Sequence, residues 1–389
     1  MPAIEKDPRD MNALPDAEFR AELRAFLNEA YPDHLRYLDR RPTIAEIRPW
    51  LEALAAKGWL APHWPREHGG MGLSIGKYLI YYDELGRHGT GRLPDHALHL
   101  LGPLLIRYGT PAQKARFLPA IVEGREIWCQ GYSEPGAGSD LSSLRTEAIV
   151  DDDHFVVNGQ KIWTSMAPHA DWIFLLVRTN RSVAQQAGIS FLLADMKTPG
   201  ITVRPIMNLK GESEFAEVFF DNVRVPLDNL VGEIDKGWTM AKSLLGDERI
   251  TLGSPRQSAY AIERLELLAR KTGAFADAAF VDRLTQLRLD LQALGASFRR
   301  YVGMVERGVR LGPDVSMLKV WATELFQRIT AEMVELGGEM GSFRHAVRFE
   351  DTVIDVMNQY LEATPPTIYG GSNEIQRNIL AKAVLGLPG

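Results

Sequence analysis

Followed by where its apolar residues recur, the chain divides into three. Up to about residue 127 the spacing is helical. Phe19, Leu23, Phe26 and Leu27 mark one face of a helix predicted over Asp16 to Ala30, with Pro15 just before it. Further helices are predicted over Ile47 to Lys57, ended by Gly58, and over Tyr78 to Leu85, Pro94 to Tyr108 and Pro111 to Glu123. From about 128 to 232 the period becomes alternating. Strands are predicted at Arg145 to Val150, Phe155 to Val157, Lys161 to Thr164, Trp172 to Val177, Ile189 to Ala194, Ile201 to Pro205 and Glu217 to Phe220. Asp151-Asp152-Asp153 and Thr198-Pro199-Gly200 read as turns, and Asn158-Gly159 as a hairpin turn. Beyond that the pattern is helical again. Its main runs are Gly237 to Lys271, Ala278 to Arg307, Ser316 to Leu336 and Asn373 to Leu385, with a shorter one at Asp351 to Glu362. The expected fold is α+β: an N-terminal helical domain (1–127), a central antiparallel β-barrel or sandwich (128–232) and a C-terminal four-helix bundle (233–389).

Composition narrows the classes. A length of 389 residues suits two or three domains. A net charge of −6 argues against a nucleic-acid partner. The single cysteine, Cys129, excludes an intrachain disulfide framework, and no apolar run has membrane-spanning length. The charged start, Met1 to Asp10, lacks an apolar signal core, so a cytoplasmic protein is expected. No Gly-x-Gly-x-x-Gly fingerprint follows a strand, so a dinucleotide would not be held in Rossmann fashion. His63, His68, His96 and His99 lack the carboxylate or cysteine spacing of a metal site and read as ordinary hydrogen-bonded histidines.

Two stretches carry the candidate chemistry. The first runs from Trp128 to Asp140 and turns from apolar to Gly-, Ser- and Pro-rich, with Gly136 and Gly138 leaving backbone N–H groups uncovered. Such a loop can wrap a flat heterocycle or a pyrophosphate, although alone it reads equally as a turn. The second is Val157-Asn158-Gly159-Gln160-Lys161-Ile162-Trp163-Thr164-Ser165, which ends in an aromatic and two hydroxyls.

Together they resemble the flavin signature of the acyl-CoA dehydrogenase family, as does the Gly58-Trp59 to Gly69-Gly70-Met71-Gly72 segment. The resemblance implies FAD as cofactor, an acyl-CoA as substrate and an electron-transferring flavoprotein as acceptor. It places Gln130, Tyr132, Ser133, Gly138, Ser139, Trp163, Thr164, Ser165, Ser372 and Glu374 at the flavin, with Ser139 and Arg249 toward the substrate. Tyr132 and Ser133 would meet the pyrimidine edge, Trp163 the dimethylbenzene side and Ser165 the ring near N5. Ser372 would reach the pyrophosphate.

The base is read from two places. On a helical wheel, Glu248 shares a side with Trp238, Ala241, Leu244, Leu245 and Leu252. A carboxylate on an apolar face suits a general base, or it pairs with a neighbouring arginine. Many family members carry the base in Tyr-Glu-Gly-Thr, but here that segment reads Tyr369-Gly370-Gly371-Ser372. Isovaleryl- and long-chain-type members instead carry it in Glu-Arg on the long helix, which Glu248-Arg249 matches. The resemblance therefore implies Glu248 as base, with Gly370 supplying an N–H to the developing enolate. Gly370 and Gly371 are expected to widen the site, and a branched or ring-bearing acyl group to occupy it.

Two family features are missing. The Arg-x-x-Phe-Gly motif has no counterpart around Ala269 to Ala276, and Val334 stands where the family's Gln-x-x-Gly-Gly has its Gln. Similar departures occur in members that assemble as heterotetramers. The chain is thus expected as a homotetramer or as half of a heterotetramer with a second acyl-CoA dehydrogenase subunit. Two alternatives stay open: a non-catalytic or half-site subunit, and an acyl-CoA or nitroalkane-type flavin oxidase.

Overall fold

The structure, a computed structural model, describes residues 9–38, 40–343, 347–349 and 352–388; the side chains of 243–249, 347–349 and 352 lie outside that description. The chain forms two compact units, Met1–Leu244 and Leu245–Gly389.

The first unit begins with five helices: α1 (Asp16–Ala30), α2 (Ile44–Lys57), α3 (Ile75–His88), α4 (Gly102–Tyr108) and α5 (Pro111–Val122). A capping box sets the start of α2: Thr43 accepts from the Glu46 N–H while the Glu46 side chain caps back. This moves the start three residues ahead of the apolar periodicity. Gly58, left-handed at φ 76°, ends it. The run predicted as one helix from Pro94 divides, a π turn at Ala97–Leu101 feeding α4. Trp50, Trp59, Trp64, Phe19 and Leu101 fill the core beneath.

Eight strands follow: β1 (Trp128–Gly131), β2 (Glu147–Asp151), β3 (His154–Lys161), β4 (Trp172–Arg178), β5 (Ile189–Asp195), β6 (Ile201–Ile206), β7 (Phe215–Pro226) and β8 (Leu230–Val231). They form one mixed sheet in the order β6-β7-β3-β2-β4-β5-β8, with β1 beside β4. The sheet is open, not closed into a barrel, and β1 runs parallel to β4, from Trp128 opposite Trp172 to Gly131 opposite Leu175. Strand β4 is buried on both faces. Phe174 and Leu176 join the helical core, while Ile173, Leu175 and Val177 join a second core on the far side. Double burial explains its unbroken apolar run.

Asn158-Gly159 makes no hairpin. The hairpin lies between β2 and β3, where Asp151 pairs with His154 and Asp152 takes φ 53°. Strand β3 runs straight through Asn158, and its pairing with β7 slips between Val157 and Gly159, a bulge. Gly159 is required there: its φ is 148° and an added Cβ would stand 2.7 Å from Thr146 Cα.

The remaining elements are α6 (Gly237–Leu252), α7 (Arg256–Thr272), α8 (Ala278–Glu306), α9 (Ser316–Gly341), β9 (Val347–Phe349), β10 (Thr352–Ile354), α10 (Met357–Glu362) and α11 (Asn373–Ile379). The run predicted as one helix from Gly237 to Lys271 breaks at Ser254-Pro255, because a proline disfavours helical backbone in the residue before it. Helices α7, α8 and α9 bury Leu265, Leu268, Phe280, Leu284, Leu318 and Ile329.

Candidate functional site

The two motif stretches are one structure, joined by a buried ion pair. Glu134 lies in the Gly-rich loop and Lys161 at the end of β3, and Lys161 Nζ donates to Glu134 Oε1 at 2.8 Å. Glu134 also accepts from the N–H groups of Arg145 at 2.6 Å and Thr146 at 2.9 Å. Lys161, fully buried, donates as well to the Tyr132 carbonyl at 3.1 Å, and the Ile162 N–H donates to the Ser133 carbonyl at 2.9 Å. Burial pushes the Glu134 carboxyl upward, but Lys161 and the surrounding donors outweigh it and hold it below its ordinary value. Burial brings Lys161 down to about 8 despite its carboxylate partner. Neither residue stood out as a site residue in the sequence. The available signal was an acidic residue inside one Gly-rich motif and a single lysine inside the other stretch.

This anchoring fixes what the segment presents. Trp163 takes φ 60° and is 58% exposed, its ring set edge-on to Phe215 at 6.1 Å. Thr164 exchanges two backbone hydrogen bonds with Ala216, at 3.0 and 3.2 Å. Its hydroxyl is enclosed by protein, so its contribution is this anchorage, while Ser165 beside it is half-buried. Gly136, Gly138 and Ser139 are exposed, and a Cβ added at either glycine would meet nothing within 4 Å. The ring of Tyr132 points into the core, edge-on to Phe174 and Phe191. Gln130 is half-buried on β1. The result is an exposed indole and, on the segment tied to it through Lys161 and Glu134, an uncovered glycine pair, features that suit a flat ring and a polar tail.

The second unit holds the other candidates. Gly370 and Gly371 take φ 64° and 81°. Side-chain ends approach both glycines closely. An added Cβ would stand 2.3 Å from Leu252 Cδ1 at Gly370, and 2.6 Å from Gln376 Nε2 at Gly371. Gln376 donates to both glycine carbonyls, at 3.1 and 3.3 Å. Lys319, fully buried on α9, donates to the Gly371 carbonyl at 3.0 Å and to Asn373 Oδ1 at 2.8 Å. Burial brings Lys319 down to about 8, with Glu374 and Glu324 pulling upward. Lys319 and Gln376 are the residues that sequence reasoning missed here; a lysine inside Met317-Leu318-Lys319-Val320-Trp321 was the visible signal. Ser372 caps α11 by accepting from the Ile375 N–H at 3.4 Å. Glu374 is exposed, its carboxyl lowered by its own backbone N–H and by Ser372. Positions 248 and 249 fall within α6, and the side chains of Glu248 and Arg249 lie outside the described residues.

A helical domain, a sheet carrying an aromatic platform and a second helical unit define a redox enzyme of the flavin-dehydrogenase type. The comparisons make this specific. The chain matches the acyl-CoA dehydrogenase N-terminal domain over residues 16–125, the middle domain over 129–223 and the C-terminal domain over 235–385. It is 40% identical to acyl-CoA dehydrogenase IpdE1 of Mycobacterium tuberculosis, over 95% of this chain and 97% of that one. Among solved structures it resembles the Tcur3481-Tcur3483 steroid ACAD, with a TM-score of 0.88 at 32% identity, covering 98% of this chain and all of that one. It also resembles the ChsE4-ChsE5 complex from Mycobacterium tuberculosis, with a TM-score of 0.80 at 31% identity, over 96% of this chain and 98% of that one. The chain belongs to the acyl-CoA dehydrogenase family and is an oxidoreductase of that class. Among the described residues, no helix is long and apolar enough to cross a membrane.

Proposed function

We propose that this chain dehydrogenates a branched or ring-bearing acyl-CoA thioester between Cα and Cβ, with Glu248 taking the α-proton. FAD is the family's cofactor, and the exposed Trp163 and the open positions Gly136 and Gly138 fit a flat ring with a phosphate tail. When bound, FAD accepts the hydride that leaves Cβ, and an electron-transferring flavoprotein is the proposed onward acceptor.

The observation that carries the choice of base is the filling of position 370. Leu252 occupies the space that a side chain at 370 would need. Position 248 stands one turn before Leu252 on the same face of α6. The proposal is that the helix supplies the carboxylate which other members carry on the loop. Gly370 keeps its N–H, and Lys319 and Gln376 pin the carbonyls on either side of Gly371. These bonds hold the two peptides that follow the Gly370 N–H, the proposed donor to the thioester oxygen, where charge develops as the α-proton leaves. Arg249 is the proposed anchor for the CoA moiety, with Ser139 assisting.

Replacing Glu248 by Gln should leave flavin content unchanged and lower kcat by about 10³-fold or more, a general base being worth about 10²–10⁴. Unchanged turnover in that variant would remove Glu248 from the mechanism.

A second reading, a subunit that needs an unlike dehydrogenase partner to complete its cofactor site, is favoured by one observation. The segment that would hold Arg-x-x-Phe-Gly is instead the end of α7, a left-handed Gly273 and a turn at Ala274–Ala276. Two of the similar structures, the Tcur3481-Tcur3483 steroid ACAD and the ChsE4-ChsE5 complex, are named for two proteins each.

A further inference from the structure

Lys319 stands where neither packing nor solubility calls for a lysine. It lies in the first turn of α9 and is fully buried. Burial disfavours its ammonium and brings it down to about 8, despite the pull of Glu374 and Glu324. The positive end of the α9 dipole opposes a cation there as well. An apolar side chain of similar volume would fill the same space without either penalty.

What the ammonium does is grip a distant loop. Nζ donates to the Gly371 carbonyl at 3.0 Å and to Asn373 Oδ1 at 2.8 Å, residues 52 and 54 positions further along the chain. The Asn373 amide is oriented from its other end. Its nitrogen donates to Thr323 Oγ1 at 3.1 Å and to Glu324 Oε1 at 3.2 Å. The Glu324 carboxylate can only accept, so the amide nitrogen faces it and Oδ1 is left to Lys319. One turn of α9 therefore holds both ends of Gly371-Ser372-Asn373.

The loop needs such a hold. Gly370 and Gly371 are consecutive and left-handed, at φ 64° and 81°, and glycine has the widest backbone freedom of any residue. Upstream, the Tyr369 N–H donates to the Pro365 carbonyl at 3.0 Å. Between that bond and Lys319, the Gly370 N–H hangs on the two softest residues of the segment. Gln376 bonds the same glycine carbonyls, but from α11, which continues directly from the loop. The Arg377–Glu324 pair also joins α11 to α9, but both side chains are exposed, and exposed pairs contribute little. Lys319 is the buried contact that refers the glycines to a long helix.

We propose that Lys319 is a positioning residue for the dehydrogenation: acting through Gly371 and Asn373, it holds the Gly370 N–H toward the thioester oxygen and so sets the acidity of the bound α-proton. This rests on the acyl-CoA reading above, in which that N–H is the donor. A hydrogen bond weakens steeply when misaligned, and the enolate that forms as the proton leaves depends on this one more than the resting thioester does. Loss of Lys319 should therefore fall on kcat and not on binding.

The test uses the flavin-loaded enzyme, with a partner subunit where loading needs one. A panel of straight, branched and ring-bearing acyl-CoAs supplies the best substrate. Its thioether analogue, with sulfur in place of Cβ, can give up the α-proton but no hydride. Lys319→Met should lower kcat by about tenfold to a hundredfold and leave the Kd of the protonated analogue within about threefold, by calorimetry. The pH at which the bound analogue forms its anion, read from long-wavelength absorption beside the oxidised flavin, should rise by about one to two units, the same fold-change in acidity. Ile329→Val, further along α9 in the buried core, should lower Tm and leave kcat and that pH unchanged. A merely structural lysine would make Lys319→Met behave like Ile329→Val, and this outcome overturns the proposal, as does a raised KM with unchanged kcat. Should Lys319→Met not load flavin, Lys319→Arg decides: its planar fork cannot reproduce the two bonds of Nζ, so the same losses are expected, and unaltered kcat and acidity overturn the proposal. No turnover of any thioester by the unaltered enzyme would instead sink the acyl-CoA reading, and the role of Lys319 with it.

Discussion

At the residue scale, the positions that matter most are charges with nowhere else to go. Glu134 and Lys161 are both buried, and each depends on the other: Lys161 keeps the carboxyl ionised, and Glu134 keeps the ammonium in a site that burial opposes. Removing one partner of such a pair leaves an uncompensated charge, typically at a cost of about 3–5 kcal/mol. Glu134→Gln should therefore lower the urea midpoint at neutral pH by that order of free energy, with Lys161 left buried. The pH dependence follows the same pair. The folded Glu134 carboxyl sits below its ordinary value of 4.5, so its contribution is complete above that pH and is lost as pH falls through the folded value. The Tm of the unaltered protein should fall more steeply on acidification below about 4.5 than that of Glu134→Gln, by calorimetry across pH 3–6. Parallel acid slopes in the two proteins would show that Glu134 does not titrate as the structure requires. Part of this pair was readable early, since both motifs were found. Their joining was not, because residues 27 apart come together only through the sheet.

At the element scale, strand β3 shows how one glycine sets the orientation of a site. The bulge at Gly159 shifts the register between β3 and β7 and hands Trp163 to the surface, while Thr164 stays locked to Ala216. Gly159→Ala meets backbone, not a movable side-chain end: Thr146 Cα would be 2.7 Å away and φ 148° is foreign to alanine. The strand must move, so a loss on the order of 2–3 kcal/mol is expected in urea unfolding, together with reduced FAD content. Full flavin in a stably folded Gly159→Ala would show that the bulge does not orient the platform. The same dipeptide shows the limit of local signals. Asn-Gly is a strong hairpin cue, yet the hairpin formed at Asp152-Asp153, six residues earlier, and Asn-Gly was used for the bulge. Helices fared better: α1 matches its predicted span because its apolar periodicity and flanking proline agree. The run from Gly237 to Lys271 broke because Pro255 overrode continuous periodicity.

At the scale of the whole molecule, the question is whether one kind of chain suffices. With Arg-x-x-Phe-Gly replaced by the turn after α7 and Val334 in the place of a glutamine, the chain expressed alone should carry clearly less than one FAD per chain, by flavin absorbance against protein concentration. Co-expression with an acyl-CoA dehydrogenase subunit that has the motif should restore full loading and a mixed assembly by native mass. Full loading of the lone chain would make it self-sufficient.

What the sequence determined by itself was the order of the three structural regions, the family, and the stretches where chemistry sits. These depend on local period, on capping residues and on short motifs, all written in neighbouring positions. What the tertiary structure decided was how those stretches are held and what fills them. Leu252 occupying the place of a side chain at Gly370, Lys319 and Gln376 pinning the glycine loop, and the open sheet with β1 parallel to β4 all arise from residues far apart in the chain. The enclosed Nδ1 atoms of His63 and His96, without a hydrogen-bond partner among the described residues, belong to the same class. Whether a polar group finds a partner depends on which distant segments the fold packs around it, and no local pattern encodes that.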